Sequence, residues 1–416
     1  MPANRTSPRL PDDLDALVGS RLPQKPDGLT VACYTFPHFH RSAYSDRLYG
    51  PGWSEYILMR GCRPWFPGHQ QPRTPLLGEL DEREPGTWEI YLDLARQHGV
   101  DAFIFDWYWF GDRPILHEAL EEGFLGARNR DGFKFAVMWT NHPWAYWFQT
   151  AGVKPADDWL AVWANDLGAW EPTHPAPERP VDVWRSLSYI IARYFHEPGY
   201  WTIDGNPVLV LWDISLLLKT FGEEGTKELL NELRAFARKL GHAGIHFHAV
   251  TQEVGMAEAK HKIAAVGIDS YGLYNAIAGA AGGRPQEEDI LDFQVLAADV
   301  VTKVWPENDA LLSLPCFPSV SPGCDDTPRH VQPERPARPI RKQWPATVIS
   351  INDTPEAFEA LVRAALAYLN ARPDIPRVLT IGCWNEWTEG HYLLPDTRYG
   401  FGVLRALARA LGRDKA

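Results

Sequence analysis

RVLTIGCWNEWTEGHYLLPD, Arg377 to Asp396, is the stretch on which the fold turns. Its first part, RVLTIGCW (Arg377 to Trp384), is a short apolar run that reads as a strand buried on both faces. Its second part sets Glu386 and Glu389 three residues apart among Trp384 and Trp387, with Gly390 and Pro395 marking irregular backbone. On a continuing strand, positions i and i+3 face opposite ways. The two carboxylates therefore converge only if the chain bends after Trp384. A solvated ion-pair patch is the plain reading of such a pair. A pair of acids at the mouth of a buried strand is the other.

Working outward, seven further runs of the same kind precede this one. They are LTVACYTF (Leu29 to Phe36), DAFIFDWYWF (Asp101 to Phe110), FKFAVMWTN (Phe133 to Asn141), PVLVLWDI (Pro207 to Ile214), GIHFHAVTQ (Gly244 to Gln252), IDSYGLY (Ile268 to Tyr274) and LLSLPCF (Leu311 to Phe317). Helical periodicities lie between them, among them TWEIYLDLARQHG, HEALEEGFLGARN, VDVWRSLSYIIARYF and TPEAFEALVRAALAYLNA. Thr354-Pro355 with Glu356 reads as a helix start: N-cap, proline in the first turn, then an acid. Eight strands each followed by a helix predict an α/β chain folded as a (β/α)8 TIM barrel. A doubly wound open sheet is the alternative, disfavoured because no Gly-rich phosphate loop follows a strand. Residues 1–28 read as an N-terminal arm and 29–416 as one barrel domain. The surplus over the ~250 residues of a minimal barrel falls in three loops, 37–85, 141–180 and 318–353. Each follows a strand, so each belongs on the C-terminal face.

The totals narrow the function. The 416 residues carry 45% hydrophobic and 23% charged side chains, ordinary for a globular protein. A net charge of -12 argues against a nucleic-acid partner. No apolar run approaches the ~20 residues of a membrane span, and no basic-then-apolar leader opens the chain, so a cytoplasmic protein is expected. The five cysteines are scattered without a CxxC pair, which fits free thiols. Tryptophan is the outlier, with 18 copies. Indoles pack in cores, and they also stack on the C–H faces of sugar rings.

In a barrel the C-terminal strand ends supply the catalytic candidates. Here they offer Asp106, Trp107, Tyr108 and Trp109; Trp139, Asn141, His142 and Trp144; Trp212 and Asp213; Gln252 and Glu253; Asp269, Tyr271 and Tyr274; and the Glu386–Glu389 pair. Singly, most have structural readings: Asp106 and Asp213 could cap helices, and Trp109 could pack. Two acids among indoles can be driven to different pKa values by burial and mutual repulsion. That is what glycosidic cleavage requires of a proton donor and a base or nucleophile. HFH occurs at His38 to His40 and again at His246 to His248, a pattern that can hold a divalent metal. Later strands add no matching ligands, so neither metal nor cofactor is expected. A sugar-nucleotide transferase would show a DxD motif at a strand end; DLD at Asp13 to Asp15 lies in the arm instead.

The chain resembles the glycoside hydrolase family 99-like proteins, a group with endo-α-mannosidases and a branch associated with lipopolysaccharide O-antigen loci. The resemblance rests on CYTFPHFH, GPGWSEY, RPWFPGHQQPRTP, FIFDWYWF, MWTNHPW and WNEWTEGHYLLPD with RYG, in that order along most of the chain. It implies a retaining glycosidase in which Glu386 is the base and Glu389 the general acid/base. By that route the sugar 2-hydroxyl, deprotonated by the first acid, attacks the anomeric carbon to give a 1,2-anhydro intermediate. Relatives often read Leu-Glu-Pro where this chain has Leu394-Pro395, so a third acid is missing there. Asn141-His142 also departs from the Asn-Glu of many relatives, and mannose specificity does not follow. The expected substrate is an α-linked oligosaccharide or glycoside. The expected binding set is Tyr34, His38, Trp53, Asp106, Tyr108, Asn141, His142, Tyr271 and Trp384. A glycosyltransferase of surface-polysaccharide assembly and a non-catalytic carbohydrate-binding barrel are the alternatives; the sugar, the linkage and the oligomeric state stay open.

Overall fold

The computed structural model describes residues 28–110, 112–141, 144–145, 172–174, 180–251, 262–282, 290–329 and 348–413. Eight parallel strands form its centre: β1 (Thr30–Thr35), β2 (Ala102–Phe110), β3 (Lys134–Trp139), β4 (Asn206–Leu211), β5 (His246–Thr251), β6 (Ser270–Leu273), β7 (Ser319–Val320) and β8 (Val378–Ile381). Their order around the sheet is β6-β5-β4-β3-β2-β1-β8-β7. A parallel bridge between Tyr271 and Cys316 brings the two ends together, with Tyr271 N–H donating to Pro315 O and Phe317 N–H to Tyr271 O. The chain is a (β/α)8 barrel, as the alternation of runs predicts.

The barrel strands are apolar and fully enclosed because both of their faces are covered. On the outer face of β2, Phe103 and Phe105 pack edge-on and tilted against Trp88 of the Pro85–His98 helix and against Phe124. The helix Pro355–Asn370 starts as its sequence predicts, with the Thr354 hydroxyl accepting from Ala357 N–H at 3.2 Å. Among the described residues no helix is long and apolar enough to cross a membrane.

Two elements differ from expectation. LLSLPCF does not form the seventh strand. Leu311 ends the helix Trp305–Leu311, Cys316 makes a lone bridge, and the paired strand lies further on at Ser319–Val320. Pro315 and Pro318 explain this, because neither has an N–H for a continuous ladder. The HEALEEGFLGARN segment holds only a short π-helical turn, Ala119–Phe124. Residues 1–27 of the expected arm and 330–347 of the third loop fall outside the described residues.

Candidate active site

The eighth strand delivers the acid pair by a hairpin. After β8 the chain passes Gly382, where an added Cβ would sit 1.8 Å from Tyr274 O, so only glycine permits this approach of β8 to the end of β6. Asn385–Glu386 then pairs antiparallel with His391–Tyr392 across a 3₁₀ turn, Trp387–Glu389, closed by Gly390 at φ 69°. This is the bend that convergence of the two carboxylates requires. Asn385 clamps it to β1: its Oδ1 accepts from Phe36 N–H at 2.9 Å and its Nδ2 donates to Phe36 O at 2.7 Å. The same amide donates to Glu82 Oε1 at 2.6 Å, and burial pushes the Glu82 carboxyl up to about 8.

Both acids meet one guanidinium. Arg329 Nη2 donates to Glu386 Oε1 at 2.6 Å, Nη1 donates to Glu389 Oε1, and Nε donates to Thr388 Oγ1 at 3.1 Å. A third carboxylate lies beneath: Glu55 Oε2 is 3.4 Å from Arg329 Nη2 and accepts from the Thr388 hydroxyl. Glu55 is fixed in turn by His38, whose Nδ1 lies 3.2 Å from Oε1, while His38 Nε2 contacts Ser45 Oγ at 2.8 Å. Trp53 packs on the His38 ring at 4.8 Å. On the other side of Glu386, the Tyr274 hydroxyl reaches Glu386 Oε2 at 3.1 Å and Asp106 Oδ2 at 3.0 Å. Glu389 Oε2 is 3.0 Å from His391 Nε2.

These surroundings divide the pair. Burial raises Glu386 well above the ordinary carboxyl range; Glu389, Glu55 and Asp106 add to the shift, and Arg329 only partly opposes it. Glu389 pays the same burial penalty, yet Arg329 and His391 hold its carboxyl down at about 2. Glu55 is likewise kept low against its burial by Arg329 and His38. Asp106 is raised well up by burial, and its Oδ1 has no hydrogen-bond partner among the described residues. Burial thus favours the proton on Glu386, while Arg329 and His391 favour the charge on Glu389. The roles that the resemblance implies, Glu386 as base and Glu389 as proton donor, require the opposite loading.

The expected binding residues divide too. Asp106 and His38 are part of the cluster, Trp53 backs His38, and Tyr34 packs its ring on Tyr274 at 5.0 Å. Tyr108 lies on the Asp106 face of β2; burial, Asp106 and Glu386 raise its phenol. Asn141 spends its amide on the backbone of Asp213, donating to the carbonyl at 2.9 Å and accepting from the N–H at 3.2 Å. Asp213 itself caps the following helix. Trp384 packs on the helix side, against Tyr91 at 5.9 Å and Phe103 at 5.1 Å. Trp107 and Trp109 also turn outward, stacked on each other and on Tyr189. Strand alternation sends them there, opposite Asp106 and Tyr108. Tyr271 pairs with the Cys316 edge, and the sixth-strand residue in the cluster is Tyr274. His142 lies outside the described residues, as do Gln252 and Glu253. Reading the sequence misses Arg329 and Glu55 as site residues; it offers Tyr274 as a strand-end candidate but leaves it out of the binding set.

The eight-stranded barrel is shared with solved structures of low sequence identity. The solved structure of the GH99 endo-alpha-mannosidase from Bacteroides thetaiotaomicron superposes with a TM-score of 0.55 at 14% identity, covering 92% of this chain and 96% of that one. A structure described as a glycoside hydrolase-like protein gives 0.57 at 12% identity, covering 96% and 99%. At those identities the likeness is one of fold.

The chain belongs to the WbsX family: the model described as "Glycosyltransferase WbsX" matches residues 30–407. A curated relative, the uncharacterized protein WxcX of Xanthomonas campestris pv. campestris, is 26% identical over 402 residues, spanning 92% of this chain and 50% of its own length. The chain thus spans about half the length of that relative.

Proposed function

We propose that the chain is a glycoside hydrolase acting on an α-linked glycan, with Glu386 and Glu389 as its acid pair. The observation that carries this is one guanidinium, Arg329, holding two neighbouring carboxyls at the end of the last strand; burial favours the proton on Glu386 and Arg329 the charge on Glu389, a division of the kind glycosidic cleavage starts from. Neighbouring nitrogens of Arg329 hold both carboxyls. Such bridging favours the close ~5–5.5 Å spacing of retaining enzymes over the ~6.5–9.5 Å that leaves room for water in inverting ones. The orphaned Asp106 Oδ1, beside Glu386, is an acceptor suited to a sugar hydroxyl. The endo-alpha-mannosidase of the same fold supports a glycan substrate.

The description of the family favours a second reading, a glycosyltransferase of polysaccharide assembly. A non-catalytic glycan-binding barrel is the third. Glu389→Gln separates them on a panel of aryl α-glycosides and glycosyl fluorides. We expect turnover to fall by about 10²–10⁴-fold, with glycan binding retained. Undiminished turnover in that variant overturns the assignment; thermal stabilisation by a sugar nucleotide, with no glycoside cleaved, favours transfer.

A further inference from the structure

Tyr274 places its hydroxyl 3.0 Å from Asp106 Oδ2 and 3.1 Å from Glu386 Oε2. A phenol carries one proton and donates one hydrogen bond. It can give only one of the two carboxyls a linear, full-strength bond, and a bond shared between two charged carboxylates would leave their repulsion uncompensated. One of the two contacts is therefore made by a proton that sits on a carboxyl and is donated to the phenol oxygen. The Cys383 thiol, 3.7 Å from that oxygen, does not supply it, because its proton is directed to Tyr34 O at 2.8 Å. Asp106, Tyr274 and Glu386 are 5%, 4% and 2% exposed, so bulk water does not intervene.

We propose that Tyr274 is a positioning residue that holds one proton in common between Asp106 and Glu386 and passes it from one to the other. The step balances simply. The Asp106 proton moves to the phenol oxygen as the phenol proton moves to Glu386 Oε2. Tyr274 is neutral before and after, one proton has gone from Asp106 to Glu386, and one negative charge has gone the other way. An acid that has given up its proton to a departing group is thereby reloaded without opening the site.

Charges of both signs face the chain of three. Arg329 favours an ionised Glu386, and Glu55 and Glu389 oppose it by sharing the same guanidinium. Around Tyr274 lie the Tyr34 and Trp212 rings, each at 5.0 Å, and the His391 ring at 5.3 Å. Tyr108 faces Asp106 and Glu386 from the same side of β2. Gly382 locks the Tyr274 carbonyl against the end of β8, so phenol and acid are held by adjoining backbone.

The proposal rests on the reading of Glu386 as a reacting acid, and two measurements keep the two claims apart. The first is infrared spectroscopy of the full chain near pH 7, taken as wild type minus the double variant Asp106→Asn/Glu386→Gln. We expect a protonated-carboxyl C=O band in that difference, shifted in frequency by Tyr274→Phe; the band of Glu82 cancels in the subtraction. A difference holding only ionised-carboxylate bands overturns the proposal. The second is the pH profile of kcat/KM on whichever aryl α-glycoside is cleaved. Tyr274→Phe should lower kcat at least tenfold and move the limb governed by Glu386 by at least one pH unit, with KM changed less than threefold. A rise in KM alone, with the limb unmoved, overturns it. If the wild type cleaves no glycoside the glycosidase reading fails, and the infrared result still decides the shared proton.

Discussion

Two of the polar clusters buried in this barrel are built on opposite terms. Within the sheet, His246 Nε2 and His248 Nδ1 share Ser270 Oγ at 2.7 and 2.8 Å, under the ring of Phe317, which stacks on His248 at 5.0 Å. Burial drives His248 down to about 3, so the cluster is neutral. At the mouth, Glu55, Glu386, Glu389 and Asp106 crowd around Arg329. The first cluster is tied by strand residues alone. The second needs a cation from the third rim loop and a carboxylate from the first. Of these two, the charged cluster is the one to which loops deliver a counter-charge, and the one built by strands alone stays uncharged.

Arg329→Met should break the contrast most. Removing the cation leaves buried carboxylates uncompensated, which typically costs about 3–5 kcal/mol and would be measured by urea unfolding at pH 7. Because Glu389 is held at about 2, its contribution is present above the unfolded value of ~4.3 and is lost as pH falls toward 2. Wild type and variant should therefore converge in stability between about pH 4 and 2; parallel curves would deny the role of Arg329.

His248→Gln probes the neutral cluster. A depressed histidine makes the fold resist protonation, so wild-type stability should fall as pH drops from ~6.5 toward 3. The variant should flatten that slope by about 1–3 kcal/mol, leaving kcat unchanged. A kcat that falls with it would show that the two clusters are coupled.

Gly272→Ala is the mildest. An added Cβ would meet His248 Nε2 at 3.0 Å, tight enough to cost about 1–2 kcal/mol by overpacking. Its melting temperature should drop while the pH profile of turnover stays put.

Sequence made the barrel legible because each strand run is short, β-branched and separated by helical periodicity. It also made the bend at Trp384 a requirement, since i and i+3 cannot converge on a strand. What stayed hidden was tertiary. Arg329 comes from a proline-rich loop with no pattern of its own, and Glu55 sits unremarked in GPGWSEY. The sequence favours Tyr271 over Tyr274 and puts Trp384 in the binding set, because residue type is legible there and facing is not. Alternation along β2, with Asp106 and Tyr108 opposite Trp107 and Trp109, carries the information that would have turned the indoles outward.

The Asn385 side chain spans the backbone of Phe36 as an extra rung between the first and last strands, and Trp384 N–H donates to Tyr34 O at 2.7 Å beside it. Asn385 and Phe36 lie 349 residues apart in sequence. Closing the barrel and setting the acid hairpin are therefore one event: the bonds that join the first strand to the last also fix the backbone that carries Glu386.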